Sequence, residues 1–205
     1  MNVPTLYAPN AFEQALTILP NYFEEQIRNG VKFHSEETIQ CGWMWFKIFQ
    51  KDGGLSVLAP EFGKMPINFI EDCSDALNLI LTQKYLIESF NADFGWCDLR
   101  HSAIVLRDFD KSTEKFMSRL DDVEGASSGW YFGSNDGGID PNDPENLELL
   151  SLWEVLCKYP FIGDFMLLPL GWQVFFEDKP VVLYDYEKAE FKSDSYYEQK
   201  YLTQT

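Results

Sequence analysis

The feature that most constrains this fold is a series of strand-length runs of aromatic and aliphatic residues, each closed off by Gly, Pro, Asn or Asp. The densest is residues 41–49, CGWMWFKIF. Aromatic and β-branched side chains suit a pleated, half-buried surface. Lys51-Asp52-Gly53-Gly54 then supplies a hairpin turn that returns the chain along residues 55–58. Further strand-like runs stand at 102–109, 115–120 and 128–134, with 115–120 expected to pair with 102–109. Residues 171–177 and 181–186 predict a terminal hairpin across Asp178-Lys179-Pro180. With 17 Phe, 10 Tyr and 6 Trp, the chain carries enough apolar surface to pack a core, which excludes a solvated coil.

Helical periodicity appears in three places. Phe12, Ala15, Leu16 and Leu19 form an i, i+3, i+4, i+7 stripe, with Asn10 as N-cap and Glu13 completing a capping box. Pro20 is expected to end or kink that helix, with Tyr22, Phe23 and Ile27 on a second short segment that stops at Asn29-Gly30. Cys73, Ala76, Leu77, Ile80 and Ile87 predict the longest helix, over 72–90. Leu149, Leu152, Trp153 and Leu156 predict a third, stopped by Pro160. The fold class is α+β: an N-terminal α-β-β-α subdomain over 1–100, then a small, mostly antiparallel sheet with one or two helices over 101–190. Residues 191–205 read as a polar, peripheral tail.

Charge restricts the partners. Sixteen basic residues against 33 acidic give −17. Such a field repels nucleic-acid backbones, whose binding requires clustered Lys and Arg. It speeds encounter with a basic partner. The acidity is regional: residues 1–100 carry 7 basic and 13 acidic groups, residues 101–205 carry 9 and 20. Between Leu120 and Cys157 there is no Lys or Arg, while Asp121, Asp122, Glu124, Asp136, Asp140, Asp143, Glu145, Glu148 and Glu154 all fall there. Solubility alone does not require such clustering.

Catalytic and metal signatures are sparse. Cys41, Cys73, Cys97 and Cys157 are widely spaced, so neither a zinc ribbon nor a redox CxxC is present, and free thiols inside the cell are the expectation. The sequence has neither a secretory h-region nor an apolar run of membrane-spanning length, which predicts a cytoplasmic location. Cys97, Asp98 and His101 lie close together, but a nucleophile and its base must meet in space, and no family signature surrounds them. No GxSxG, GxxxxGK[ST] or HExxH occurs. The loop at 135–145 offers hard oxygen ligands for calcium, yet it lacks EF-hand spacing and is stiffened by Pro141 and Pro144. Asp and Asn beside Gly and Pro are what any turn uses. No cofactor and no metal are expected.

Residues 128–136, SGWYFGSND, resemble the serine-glycine-tryptophan signature and acidic loop of the immunity protein 33 family, first catalogued as a domain of unknown function. Ala103-Ile104-Val105 matches the preceding strand of that family. Asp143-Pro144-Glu145-Asn146, the helix expected at 149–156, and Leu168-Pro169-Leu170-Gly171 before Val174 and Phe175 follow its layout. The likeness covers about residues 101–178. The segment 110–126 departs from the pattern, and residues 1–100 have no counterpart in it. The resemblance implies a bacterial immunity protein of a polymorphic toxin system, which neutralises a cognate toxin by binding it; the acidic field implies that this toxin is basic. It carries over no catalytic residues. The expected contact surface is Asp121, Asp122, Glu124, Asp136, Asp140, Asp143, Glu145 and Glu148, flanked by Trp130 and Tyr131. Trp130, Asp136 and Asp143 fit a role in holding the fold equally well. A hydrolase using carboxylates or Cys97, and a regulatory or scaffold module without a toxin, stay open as alternatives.

Overall fold

A computed structural model of the chain describes residues 3–121 and 123–203. The chain divides into two compact units, Met1–Thr82 and Gln83–Thr205.

The first unit is built on α1 (Ile18–Arg28) and a four-stranded antiparallel sheet, β1 (Thr38–Cys41), β2 (Met44–Lys51), β3 (Gly54–Pro60) and β4 (Phe69–Ile70), in that order. The predicted hairpin is β2–β3, with Lys51 opposite Gly54 and left-handed Asp52 and Gly53 between them. Trp43, Phe46, Ile48, Val57 and Ala59 are buried. The helix expected from Asn10 is corrected. The chain from Ala15 to Thr17 makes one 3₁₀ turn, and α1 runs through Pro20. Pro20 sits in the first turn of α1, where its missing N–H has no intrahelical partner to lose. Asn10 instead engages the next helix: its N–H donates to Ser74 Oγ, and its carbonyl accepts from Asn78 Nδ2.

The longest helix is α2 (Ser74–Ser89), close to its predicted span. The division between the two units falls inside it, ahead of the boundary expected after residue 100. Residues 83–101 belong to the second unit: Gln83 Nε2 donates to the Gly163 carbonyl, and the Gly95 N–H donates to that of Leu167.

The second unit holds a seven-stranded sheet. Its strands are β5 (Ser102–Leu106), β6 (Lys115–Arg119), β7 (Ser127–Ser134), β8 (Leu147–Ser151), β9 (Trp172–Phe176), β10 (Pro180–Tyr184) and β11 (Glu187–Lys188). The order across the sheet is β11-β10-β9-β6-β7-β5-β8, antiparallel except for the β5–β7 pair. Two sequence expectations are corrected here. β6 pairs with β7 and β9 rather than with β5. Leu149 lies on a strand, because α3 (Leu152–Lys158) starts only after its N-cap Ser151, whose hydroxyl and Glu154 form a reciprocal capping box.

One face of the sheet is the core. Val105, Phe132, Met117, Val174 and Val182 form a buried row across five strands. Rings from outside the sheet close over it: Phe109 meets Phe132 at 5.9 Å and Tyr159 at 4.9 Å, and Phe165 meets Phe176 at 5.7 Å. The tail, expected to be peripheral, is tied down. Buried Asp164 accepts hydrogen bonds from Tyr196 and Tyr201 hydroxyls and from Lys200 Nζ, each at 2.7 Å, and Tyr197 is buried. Burial alone would raise the Asp164 pKa; Lys200 and the two hydroxyls outweigh it and hold the carboxyl below its usual range.

Candidate functional site

Side chains alternate across a strand, so the row one residue out of step with the buried one faces the other way. That row takes one residue from each of the seven strands: Leu149, Ile104, Tyr131, Ser118, Gln173, Leu183 and Lys188. Leu149 is 73% exposed and Ile104 38%. The next row on this outer face holds Phe116 and Phe175, stacked with centroids 5.5 Å apart and half-buried. Phe116 and Tyr131 lean over Gly133, where a Cβ would stand 2.7 Å from Phe116 Cζ and 2.5 Å from Tyr131 Cε1. Burial raises the Tyr131 pKa above its ordinary value.

The aromatic pair singled out from the sequence is therefore split. Trp130 is 1% exposed and its indole N–H donates to the Met166 carbonyl, so it holds the core and offers no contact surface. Tyr131 points the opposite way, onto the outer face. The rest of the signature is structural as well. Gly129 has φ +78°, and a Cβ there would stand 2.9 Å from the Leu120 carbonyl. Ser128 Oγ donates to the Ser102 carbonyl and accepts from the Trp130 N–H. These residues form a bulge, in which Ser102 and Ile104 of β5 face Ser127 and Tyr131 of β7.

The acidic window is not one surface either. Asp121 and Glu124 lie on the β6–β7 hairpin, whereas Asp136, Asp140, Asp143, Glu145 and Glu148 follow the other end of β7, on the order of 20 Å away along the strand. Asp122 lies outside the described residues. At the loop end the carboxylates are largely engaged. Asp136 accepts from the N–H groups of Thr113 (2.7 Å) and Glu114 (2.8 Å) and from the hydroxyls of Ser112 and Thr113. Those donors, the Thr113 N–H foremost, hold its pKa below the usual range. Asp140 accepts from the Asn142 N–H, Asp143 from that of Glu145, and Glu148 bridges Arg107 (3.2 Å) and Lys158 (3.3 Å). Among the described residues, no group of three or more His, Cys, Asp or Glu is placed to hold a metal ion. At the hairpin end, Asp121 and Glu124 have no side-chain partner among the described residues.

The hairpin end is anchored from beneath by Arg119, which is buried without a carboxylate beside it. Its guanidinium donates to the carbonyls of Ser128 (3.0 Å), Gly95 (2.7 Å), Leu168 (2.7 Å) and Trp96 (3.1 Å). Gly95 is required there, since a Cβ would stand 2.1 Å from Arg119 Nη1. Cys97 packs against the same guanidinium, and burial pushes its thiol up to about 11, far from the reactive thiolate. His101 Nδ1 accepts the Asp98 N–H at 2.8 Å, and Asp98 pairs with Arg100. Cys97 and His101 thus each serve local structure.

The sequence reading missed Ile104 and Leu149, and with them Tyr184 and Tyr186, both strongly exposed beside the hairpin end. The Ser151-x-x-Glu154 capping signature was the available signal for Leu149. It starts the helix at Leu152 and leaves Leu147–Ser151 to be a strand.

Among the described residues, no helix is long and apolar enough to cross a membrane, and all four cysteines are free. Compared with known proteins, the model of the Imm33-like domain family matches residues 82–185. That span opens at the start of the second unit. No curated protein and no solved structure matches the chain.

Proposed function

The chain belongs to the Imm33-like domain family, and on that premise we propose that it is a bacterial immunity protein that binds a cognate protein toxin and blocks it by occlusion. The observation that carries this reading is the seven-strand row on the outer face. A sheet with one packed face and one face bearing Leu149, Ile104, Tyr131, Phe116 and Phe175 offers an apolar patch of the kind that marks a protein interface. The unpartnered Asp121 and Glu124 border the same sheet. They would steer a basic partner and fix its orientation, while the apolar row supplies contact area. The contact surface is therefore Asp121, Glu124 and Tyr131 with the outer row, and the engaged carboxylates Asp136, Asp140, Asp143 and Glu148 serve the fold. The protein acts in the cytoplasm by association alone, with no bond made or broken. Two copies meeting on this face would bring two acidic rims together, and the net charge of −17 opposes that.

The test is co-expression with the toxin genes found beside its own. Rescue of growth from one of them is the expected result. Failure to protect against every one of them would sink the reading.

A further inference from the structure

Where β6 ends and β9 begins, the outer face leads into a notch of about 370 Å³, shared through Ser118 and Gln173. Gly171 leaves a gap in it. The point where a Gly171 Cβ would stand lies 3.6 Å from Asp121 Oδ1 and 3.9 Å from Tyr184 Cε2, so a carboxylate and a ring edge converge on it. Tyr186 and Asp185 complete the opposite wall. Neither Asp121 nor Asp185 has a side-chain partner among the described residues. Apart from Arg119, whose guanidinium is buried among four carbonyls, no basic residue lines the notch.

The turn that carries this wall departs from its usual chemistry. Asp185 (φ 51°) and Tyr186 (φ 64°) are both left-handed between paired Tyr184 and Glu187. Such two-residue turns favour Asn-Gly, and a bulky residue at the second position is an outlier. Here a tyrosine occupies it and is 85% exposed. The backbone tolerates a strained residue whose ring makes no core contact, which is where a functional constraint is expected.

We propose that the notch receives an arginine side chain projecting from a protein partner seated on the outer face; the identity of that partner as a toxin rests on the function proposed above. A guanidinium is planar and weakly hydrated. It stacks on a phenol ring while donating in a fork to a carboxylate, a combination that a lysine ammonium does not reproduce. Tyr184 and Tyr186 supply the rings, and Asp121 and Asp185 the acceptors.

The test is an NMR titration of the full ¹⁵N-labelled chain, at low ionic strength, with acetyl-Gly-Arg-Gly-amide. Saturable shifts at the amides of Asp121, Gly171, Tyr184, Asp185 and Tyr186 are expected. The lysine peptide should bind several-fold more weakly, and the uncharged citrulline peptide should leave those amides unmoved. Tyr186→Gly, which removes the ring and suits the turn, should weaken arginine-peptide binding on the order of tenfold, as should Asp121→Asn. Shifts centred on residues 136–145, equal binding of the lysine or citrulline peptide, or an unchanged Tyr186→Gly affinity would each overturn the proposal. Arginine binding at the notch in a chain that protects against no neighbouring toxin would uphold the notch and fail the immunity reading. Protection without arginine binding would do the reverse.

Discussion

Trp130 and Tyr131 are neighbours on one strand, yet the fold uses them in opposite ways. Trp130 joins a buried row and gives its N–H to Met166; Tyr131 joins a row that faces outward beside Ile104 and Leu149. Arg119 and Asp121 divide similarly, one held by four carbonyls and the other without a side-chain partner among the described residues. The difference teaches that proximity in sequence is a poor guide to a shared surface in a sheet protein. Buried core and exposed surface are separated here by single-residue steps along the same strands.

Substitutions can break this division, and the inward residues should show the largest effects. Trp130→Ala should lower unfolding stability by about 3–5 kcal/mol, through lost burial, a cavity and the loss of the indole hydrogen bond to the Met166 carbonyl. Arg119→Met should cost about 3 kcal/mol, since it leaves four carbonyls, two of them in fully buried contacts, short of a donor. Urea titration followed by tryptophan fluorescence measures both. A cost under about 1 kcal/mol for either would mean that the inner face is not the core described.

Asp164 gives the next effect. Asp164→Asn should cost about 2 kcal/mol, less than a fully buried ion pair, because Lys200 remains partly in water. The same group predicts a pH dependence. Its folded pKa is depressed, so its stabilisation is present above the usual carboxylate range and is lost as pH falls through the lowered folded value. Hydrogen exchange at Tyr196, Tyr197 and Tyr201 should accelerate in that acid window, and the Asp164→Asn variant should lack the step.

Outward residues should behave in the contrary sense. Tyr186→Gly should raise stability by about 0.5–1 kcal/mol by relieving the left-handed tyrosine, while weakening partner binding. A loss of stability would place the ring in a structural role and erase the contrast. Tyr131→Ala should change stability by about 1 kcal/mol or less, because its ring is only half-buried. Smallest of all, replacing Asp110, exposed on the 3₁₀ turn Phe109–Lys111 that follows β5, by Lys together with Glu145→Lys in the loop should leave stability and protection unchanged.

The sequence made the strands legible because alternation and turn chemistry are local: the β2–β3 hairpin and β7 stand close to where residues 41–58 and 128–134 predicted them. The signature SGW led to the family, and its meaning emerged only with the β5–β7 bulge. What the sequence hid was tertiary. The window without Lys or Arg looks uniformly acidic, but folding brings Arg107 and Lys158 to Glu148, while Asp121 has no side-chain partner among the described residues. The first helix was misplaced because a proline three residues into α1 reads as a breaker until the helix start is known. The tail looked peripheral because Asp164, which holds it, lies more than thirty residues away.

The most direct test of the central claim is growth rescue by three versions of the chain, each co-expressed with the toxins encoded beside its gene. They are the unaltered protein, Asp121→Lys with Tyr131→Ala, and Asp110→Lys with Glu145→Lys. The account predicts that the first and third protect equally and the second does not. Loss of protection from the loop-end pair, with the hairpin-end pair still protecting, would contradict it.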